Sequence, residues 1–391
     1  MNEALHAVTA RRVFDGDAVR ENAAVLIEGE RIVAVVPRGE VPAEMPLRVL
    51  PDNAWLAPGF IDVQVNGGGD VLFNDSPSAD AIRTIAAAHR KFGTTGLLPT
   101  LISDSMEKTA AALAAVDSLV DTEPSVLGIH LEGPFLSPEK PGVHDPRMLR
   151  QPTGEDVAML TAPRRGVTLV TLAPERVAES FISKLGAAGV RISLGHSMAT
   201  YAQTKAAMNA GLTGFTHLFN AMRPLDSREP GPIAAALESR QVFYGLIADG
   251  AHVAPPTLGL ALRGAGRPML VTDAMPPVGG ARRGFLLGGE PIVVRDGCCV
   301  RKKDSRFAGA YLDMASAVRN CLRMLDIPLP DALRFASLNP AEFLGLAGTL
   351  GKLAPGFRAD MVAFDGTTIE VLDTWVGGEA QNALALTRKH S

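Results

Sequence analysis

The chain has 391 residues, of which 47% are hydrophobic and 20% charged, so it can form a large apolar core and is not wholly disordered. Its formal net charge is −4 and its basic residues are scattered, which argues against nucleic acid or an anionic membrane as the main partner. No signal peptide or membrane-spanning apolar run is recognisable, so we expect a cytoplasmic protein. The three cysteines match neither a disulfide framework nor a metal-binding spacing.

The two ends of the chain are rich in predicted strands. Near the start, two apolar runs flank the turn Glu28-Gly29-Glu30, a pattern typical of a β-hairpin. Near the other end, residues 359–365 and 369–372 are also predicted strands. Because these segments flank a long central region, their simplest arrangement is to pair with one another. We therefore predict a small discontinuous β-sandwich domain formed by residues 1–56 and 357–391.

Between these ends, apolar runs alternate with helical patterns. Eight runs are predicted strands: 60–66, 96–102, 126–132, 167–173, 190–196, 213–217, 243–249 and 269–273. Predicted helices between them include 79–92, 105–120 and 199–210. Eight strands alternating with helices are what a closed parallel barrel requires. We therefore predict an α/β fold, a TIM-like (β/α)8 barrel over residues 57–356.

After the eighth predicted strand the pattern changes. Residues 284–301 are predicted to form a β-hairpin inserted at the barrel mouth. Residues 313–325 and 331–345 are predicted to be helical, with a new helix beginning at Asn339-Pro340. We therefore expect an insertion between the last barrel strand and the final helices.

Two histidines end neighbouring predicted strands, His196 and His217, and about one helix separates them. The carboxyl ends of barrel strands meet at one mouth, so these imidazoles should converge. Glu132 ends the third strand and would complete a His₂Glu set, which in catalytic zinc sites leaves one position open for water. The alternatives are buried histidines bonded to backbone and a solvated loop charge. We predict that these three residues bind a divalent metal.

Asp273 ends the eighth predicted strand and should face the same mouth. A metal lowers the pKa of bound water, and a neighbouring carboxylate can take a proton and later pass it to a leaving group. We predict that Asp273 acts first as general base and then as general acid. The alternative is a salt bridge at the barrel rim.

Gln64 and Asn66 stand two apart on the first strand, where a pair of histidines would make a second metal site. Amides are poor ligands for zinc beside imidazole and carboxylate, so one tightly bound metal is expected. Zinc is the first expectation, and iron, cobalt or manganese are alternatives because the same donors accept them.

Several polar residues follow other strands. His144 lies after the third strand, Arg228 after the sixth, and Asp249 and His252 after the seventh. Each alone would be ordinary loop polarity. Together with the backbone amides after His217 they place donors on one rim, which suits an anionic group and an oxyanion.

At these residues the sequence resembles the amidohydrolase superfamily and, within it, the family of N-acetylglucosamine-6-phosphate deacetylases. The matching motifs are Pro58-Gly59-Phe60-Ile61-Asp62, His130-Leu131-Glu132-Gly133-Pro134, Gly195-His196-Ser197, Thr216-His217-Leu218-Phe219-Asn220-Ala221-Met222, Arg228-Glu229-Pro230-Gly231, Asp249-Gly250-Ala251-His252 and Thr272-Asp273-Ala274-Met275. The first motif belongs to the wider superfamily, whereas the second and fourth are typical of the deacetylases. The resemblance covers nearly the whole chain.

The resemblance implies metal binding by Glu132, His196 and His217. It also implies that His144 contacts the acetyl carbonyl and that Asp273 is catalytic. The substrate-binding set that it implies is Val143, His144, Asn220, Ala221, Arg228, Asp249, Gly250, Ala251, His252, Phe307, Ala308 and Gly309. In such enzymes the partner subunit of a homodimer can donate a substrate-binding arginine, so Arg228 is expected to act across the interface.

The implied reaction is hydrolysis of N-acetyl-D-glucosamine 6-phosphate to D-glucosamine 6-phosphate and acetate, with metal-activated water as nucleophile. One alternative is another amide or cyclic-amide hydrolase of the superfamily, with the same metal site but no phosphate donors. Another is a non-catalytic barrel that acts as an oligomeric scaffold. The sequence leaves open the metal, a weak second metal near Gln64 and Asn66, the oligomeric state, other N-acylated substrates and the pathway.

Overall fold

The computed structural model describes residues 5–381. Its strands are β1 (His6–Phe14), β2 (Val19–Glu28), β3 (Arg31–Pro37), β4 (Leu47–Val49), β5 (Ala54–Pro58), β6 (Phe60–Val65), β7 (Gly67–Gly68), β8 (Val71–Leu72), β9 (Thr94–Ile102), β10 (Gly128–Glu132), β11 (Val167–Leu172), β12 (Arg191–Leu194), β13 (Gly214–Phe215), β14 (Phe243–Leu246), β15 (Arg267–Leu270), β16 (Gly284–Leu287), β17 (Glu290–Arg295), β18 (Cys298–Arg301), β19 (Met361–Asp365), β20 (Val371–Val376) and β21 (Glu379–Ala380).

The α-helices are α1 (Ala79–Arg90), α2 (Met106–Asp117), α3 (Gly154–Leu160), α4 (Glu179–Ala187), α5 (Tyr201–Asn209), α6 (Gly231–Glu238), α7 (Pro255–Ala261), α8 (Met314–Leu325), α9 (Leu329–Ala336) and α10 (Leu338–Leu344). In residues 5–381 none of them has the length and apolar character that crossing a bilayer needs. Side-chain caps explain several helix starts. Ser105 caps α2, and Thr153 and Thr200 form capping boxes at α3 and α5.

The central sheet is a parallel barrel. Its strand order is β6, β9, β10, β11, β12, β13, β14 and β15, and a parallel bridge from Val65 to Ala274 connects its two ends. Every residue of β9 and β10 is buried, as expected where helices cover a parallel sheet. The predicted (β/α)8 barrel is confirmed, and each predicted strand has a counterpart. The sixth is shorter than predicted, because β13 ends at Phe215.

The insertion after the eighth barrel strand differs from the prediction. Instead of a two-stranded hairpin, residues 284–301 form an antiparallel sheet of three strands, β16 to β18. Left-handed glycines make both turns, with φ of 57° and 86° at Gly288 and Gly289 and 77° at Gly297. The sheet buries Leu287 and Cys299 in a cluster that includes other apolar residues of the barrel. In the sequence, the glycine of the second turn, Gly297, was the signal for the additional strand β18.

Strands from both chain ends form one further sheet, in the order β21, β20, β19, β5, β1, β2 and β3. The antiparallel pairing of β5 with β19 joins the two ends of the chain, which confirms the predicted discontinuous β domain. β1 pairs with β4 near its start and with β5 near its end, so the sheet forks there. Residues 1–4 and 382–391 of that predicted domain lie outside the described residues.

Contacts within the chain define two compact units. One comprises the residues up to Asp62, His89–Gly96 and the residues from Met314 onward, and the other comprises Val63–Ala88 and Leu97–Asp313. The helices α8, α9 and α10 thus belong with the terminal strands in this division, whereas the sequence placed them in the barrel. The boundaries predicted from the sequence stay a prediction. All predicted site residues lie in the second unit.

Candidate active site

The barrel mouth is built on an unusual backbone. His196, His217 and Asp273 follow β12, β13 and β15, and their φ angles are 49°, 32° and 51°. Left-handed backbone is uncommon outside glycine, costs on the order of 1–3 kcal/mol per residue, and clusters at functional sites. Here the left-handed residues turn the backbone sharply after each of the three strands, and the turn at His217 explains why the sixth strand is short.

The side chains of Glu132, His196 and His217 converge on one point. Oε1 of Glu132 lies 3.0 Å from Nε2 of His217 and 3.2 Å from Nε2 of His196, and the two Nε2 atoms are 3.2 Å apart. All three residues are buried. The convergence predicted from the strand ends is therefore present in the structure.

The hydrogen bonds around this cluster define which atoms face one another. Nδ1 of His196 is 2.8 Å from the carbonyl oxygen of Lys140. A carbonyl only accepts, so Nδ1 carries a proton, and the unprotonated form of the ring has its lone pair on Nε2, the atom that faces Glu132. Such electron-rich atoms repel unless a proton or cation lies between them.

The spacing within the cluster also suits a cation. Tetrahedral zinc with bonds near 2.0–2.1 Å would hold its ligand atoms about 3.3 Å apart, close to the observed separations. The residues present therefore fit a divalent metal. They offer two imidazoles and one carboxylate, the set that catalytic zinc sites use with one position left for water.

Electrostatics within the cluster favour a negative carboxylate. Burial would raise the pKa of Glu132, but its close contacts with the imidazoles of His196 and His217 hold it well below its usual value. Burial would lower the pKa of His217, but the hydrogen bond to Glu132 raises it. Glu132 is therefore ionised at neutral pH, and its charge can balance that of a cation.

Asp273 lies beside the cluster and is held by two amides of β6 and the turn after it. Its Oδ1 accepts hydrogen bonds from Nε2 of Gln64 at 3.2 Å and from Nδ2 of Asn66 at 2.6 Å. Burial and the nearby charge of Glu132 raise the pKa of Asp273 to about 6. A carboxyl group with that pKa is mostly ionised at pH 7 and easily protonated, as general acid–base chemistry requires. In this structure the two amides bind the carboxylate.

His144 presents a neutral imidazole to the same space. Its Nδ1 accepts a hydrogen bond from the backbone N–H of Ser103 at 3.2 Å and lies 2.8 Å from the Ser103 hydroxyl. Burial and the neighbouring His196 lower the pKa of His144 to about 3. Because Nδ1 accepts, the neutral ring carries its proton on Nε2. His144 is therefore a buried N–H donor, with its ring 4.5 Å from that of His196.

These groups line one cavity of about 170 Å³. The lining residues are Asn66, Ile102, Glu132, Gly142, Val143, His144, His196, His217, Asn220, Ala221, Ile247, His252, Asp273, Met275, Phe307 and Gly309. Most residues predicted from the sequence are in this set. Its apolar members Ile102, Ile247 and Met275 were missed, because nothing separates them from core residues in the sequence.

Five predicted residues are not part of the cavity lining. Asp249, Gly250 and Ala251 precede His252, Ala308 is buried, and Arg228 is exposed in a loop. The backbone N–H of Arg228 donates to Oδ1 of Asp226 at 3.0 Å. The structure thus leaves its guanidinium apart from the cavity of the same subunit.

Asp249 contacts the cavity through His252. Its Oδ2 is 2.6 Å from Nδ1 of His252, and its Oδ1 accepts the backbone N–H groups of Ala251 and His252, each at 2.9 Å. Burial would raise the pKa of Asp249, but the hydrogen bond from His252 lowers it. The carboxylate therefore orients the His252 ring, which lies against Phe307 with ring centroids 4.5 Å apart.

Two supporting residues were not predicted. Ser103 directly follows β9 and bonds to His144, so a polar residue after a buried strand was a usable signal. Lys140 supports His196 through its backbone carbonyl. Because every residue has a carbonyl, no sequence signal marks such a role.

Comparisons with known proteins place the chain in a family. The family model described as the amidohydrolase family matches residues 55–387. The N-acetylgalactosamine-6-phosphate deacetylase of Shewanella sp. (strain ANA-3) is 44% identical over 330 residues, covering 84% of this chain and 83% of that protein. The N-acetylglucosamine-6-phosphate deacetylase of Haemophilus influenzae is 35% identical over 361 residues, covering 91% and 94%.

A solved structure agrees over nearly the full chain. The crystal structure of N-acetylglucosamine-6-phosphate deacetylase from Pasteurella multocida has a TM-score of 0.92 and 32% identity, covering 96% of this chain and 99% of that one. The matched family model spans most of the sequence, including the strands that end at or shortly before Glu132, His196, His217 and Asp273. The chain belongs to the amidohydrolase family.

Proposed function

We propose that the protein hydrolyses the N-acetyl group of N-acetyl-D-glucosamine 6-phosphate to give D-glucosamine 6-phosphate and acetate. The observation that carries this proposal is the convergence of Glu132, His196 and His217 in a cavity that also contains Asp273. The similar proteins from Haemophilus influenzae and Pasteurella multocida, named as deacetylases of this sugar phosphate, support the choice of substrate.

Glu132, His196 and His217 would hold one divalent metal ion per subunit, with zinc as the first candidate and iron, cobalt or manganese as alternatives. When bound, such an ion lowers the pKa of water and polarises a carbonyl group. The carboxylate of Glu132 supplies the negative charge, and the Lys140 carbonyl keeps Nε2 of His196 available as a ligand atom.

Asp273 would move the proton. Its Oδ1 is occupied by the amides of Gln64 and Asn66, so Oδ2 is the oxygen that takes a proton from water. The water oxygen bonds to the acetyl carbon, and Oδ2 then returns the proton to the sugar nitrogen as the C–N bond breaks. A pKa near neutrality permits both transfers at the same pH.

His144 would stabilise the charge that develops on the carbonyl oxygen. Its pKa of about 3 keeps the ring neutral, and its Nε2–H is the available donor. A donor fixed in place before the reaction stabilises an oxyanion without the cost of reorganising solvent.

The phosphate would lie at the rim of the cavity, beside His252 and the backbone of Asn220 and Ala221. Arg228 lies in an exposed loop, so we propose that it completes this subsite in the partner subunit of a homodimer. A cytoplasmic location, expected from the sequence, stays a prediction.

A second substrate is N-acetyl-D-galactosamine 6-phosphate, the C4 epimer. It is favoured by the 44% identical relative from Shewanella, which is named for that sugar phosphate. A general or cyclic-amide hydrolase that ignores phosphate is not favoured, because none of the relatives described above carries such a name.

The test is acetate release by metal-replete protein from both 6-phosphates and from unphosphorylated N-acetylglucosamine, with metal per chain counted by elemental analysis. Release from a phosphorylated sugar only, with about one metal per chain, is the expected result. The higher kcat/KM of the two epimers identifies the preferred substrate. Equal turnover of the unphosphorylated sugar would contradict the phosphate subsite, and no release from any of the three would contradict the proposed activity.

A further inference from the structure

The two polar atoms of the Asn66 side-chain amide differ in their hydrogen bonding. Its Nδ2 donates to Asp273 at 2.6 Å, whereas its Oδ1 is buried and has no hydrogen-bond partner among residues 5–381. The residue lines the cavity and is 1% exposed. Buried polar atoms in folded proteins are nearly always paired, so an open acceptor at this place indicates a donor that arrives with a ligand.

The orientation of this side chain follows from its neighbour. Turning the amide by 180° would place Oδ1 of Asn66 2.6 Å from Oδ1 of Asp273, which would set two acceptors against each other. The main chain is also anchored, because the backbone N–H of Asn66 donates to Ala274 at 3.0 Å and its carbonyl accepts from Phe73 at 2.9 Å. The open atom is therefore the oxygen, and it stays beside Asp273.

The proposed reaction requires a particular geometry at the substrate nitrogen. An amide nitrogen is barely basic while conjugated, and its lone pair develops only as the carbonyl carbon becomes tetrahedral. That lone pair must face the carboxyl group that delivers the proton, so the N–H bond must point elsewhere. An acceptor next to Asp273 that binds the N–H would impose this arrangement.

We propose that Oδ1 of Asn66 accepts a hydrogen bond from the acetamido N–H of the substrate and so directs the nitrogen lone pair toward Asp273. This inference rests on the proposed deacetylase function. One side chain then positions both partners in the last proton transfer, the carboxyl group through Nδ2 and the nitrogen through Oδ1. It also makes the site selective for amides, because an acetyl ester has no N–H and leaves the buried oxygen unpaired.

The experiment is a cycle that changes the enzyme and the substrate in turn. It compares kcat/KM for N-acetylglucosamine 6-phosphate and for 2-O-acetylglucose 6-phosphate, in which oxygen replaces the N–H, in the wild type and in Asn66→Ala. The intrinsic reactivity of the ester cancels in the ratio. We expect the preference for the amide over the ester to fall by about tenfold in the variant, the effect of one neutral hydrogen bond.

Gln64 offers a matched control. Its Nε2 donates to Oδ1 of Asp273, at 3.2 Å, and to Oε1 of Glu132, at 3.3 Å, but Gln64 is not among the residues that line the cavity. Gln64→Ala should therefore lower kcat/KM for the amide and the ester by the same factor and leave the preference unchanged. A second variant, Asn66→Asp, keeps an oxygen acceptor and should retain the preference while both rates fall, because its charge repels Asp273.

Circular dichroism and metal content of each variant establish that folding and the metal site are retained. Equal loss for the two substrates in Asn66→Ala would overturn the inference while the deacetylase activity of the wild type still stood. If Asn66→Ala does not fold, loss of the amide preference in Asn66→Asp would overturn it. Absence of acetate release by the wild type would overturn the proposed function instead.

Discussion

The terminal sheet and the barrel mouth both bury charged side chains, but they use them in opposite ways. In the terminal sheet, a guanidinium nitrogen of Arg48 lies 2.5 Å from a carboxylate oxygen of Asp373, and the Arg48 guanidinium lies 4.7 Å from the Trp375 ring. Opposite charges there meet in one pair. In the barrel mouth, Glu132 and Asp273 lie near each other among imidazoles, and the backbone is left-handed at Asp273. The charges in the barrel mouth do not neutralise one another, as expected of a site that binds a ligand. The opposite charges in the terminal sheet do neutralise one another and stabilise the fold.

The largest expected effect comes from breaking the pair in the sheet. Arg48→Ala should lower the free energy of unfolding by about 3–5 kcal/mol, because it leaves the buried carboxylate of Asp373 without its cation. The matched control is Arg12→Ala, which removes an ion pair to Glu21 whose two side chains are 44% and 58% exposed. That variant should cost about 1 kcal/mol or less. Denaturant unfolding measures both, and equal losses would contradict the distinction.

Asp273→Asn tests the opposite use of charge in the mouth. Turnover should fall by about two or more orders of magnitude, because an amide cannot take and return a proton. Metal content and substrate binding should be largely retained, since Asp273 is outside the Glu132, His196 and His217 cluster. Acetate release measures turnover, elemental analysis measures metal content, and KM reports on substrate binding. Near-normal turnover would remove Asp273 from the mechanism.

Arg228→Ala tests whether the exposed loop belongs to the site. If this guanidinium binds substrate phosphate in the partner subunit, KM should rise by about tenfold or more while kcat changes little. Arg240→Ala changes another exposed arginine that has no predicted role, and it should leave KM unchanged. An unchanged KM in Arg228→Ala would contradict the phosphate role, and a monomeric protein in solution would contradict its action across an interface.

The pH dependence of kcat/KM tests the charges of the barrel mouth without a mutation. The pKa of Asp273 is raised to about 6, and only its ionised form can accept a proton from water. The kcat/KM should therefore be lost as the pH falls through an acid limb, by about tenfold for each pH unit below it. A bound cation stabilises the carboxylate, so this limb should lie at or below pH 6 in the metal-loaded protein. An acid limb well above pH 7 would assign the titration to another group.

The smallest effect is expected at Lys140. Its backbone carbonyl, not its ammonium group, contacts His196. Lys140→Ala should therefore leave kcat/KM and metal content within about twofold of the wild type. A loss of tenfold or more would show that the side chain itself contributes to the site.

Local patterns in the sequence were enough for the fold class and the central cluster. The alternation of apolar runs and helical periods depends on neighbours in the chain, and it predicted the eight barrel strands. The convergence of Glu132, His196 and His217 also followed, because parallel barrel strands all end at the same mouth. These inferences need the order of elements and the position of a residue on its strand, and both can be read along the chain.

Other features depend on distances between segments far apart in sequence, and only the tertiary structure decided them. Asn66 and Asp273 are 207 residues apart, yet the closure of the barrel brings their side chains to 2.6 Å. The left-handed turn at His217 shortens its strand, and the Lys140 carbonyl selects the tautomer of His196. Such contacts determine whether a polar group donates a hydrogen bond, accepts one or remains without a partner. The residue types for the chemistry were therefore visible in the sequence, whereas their pairing required the folded barrel.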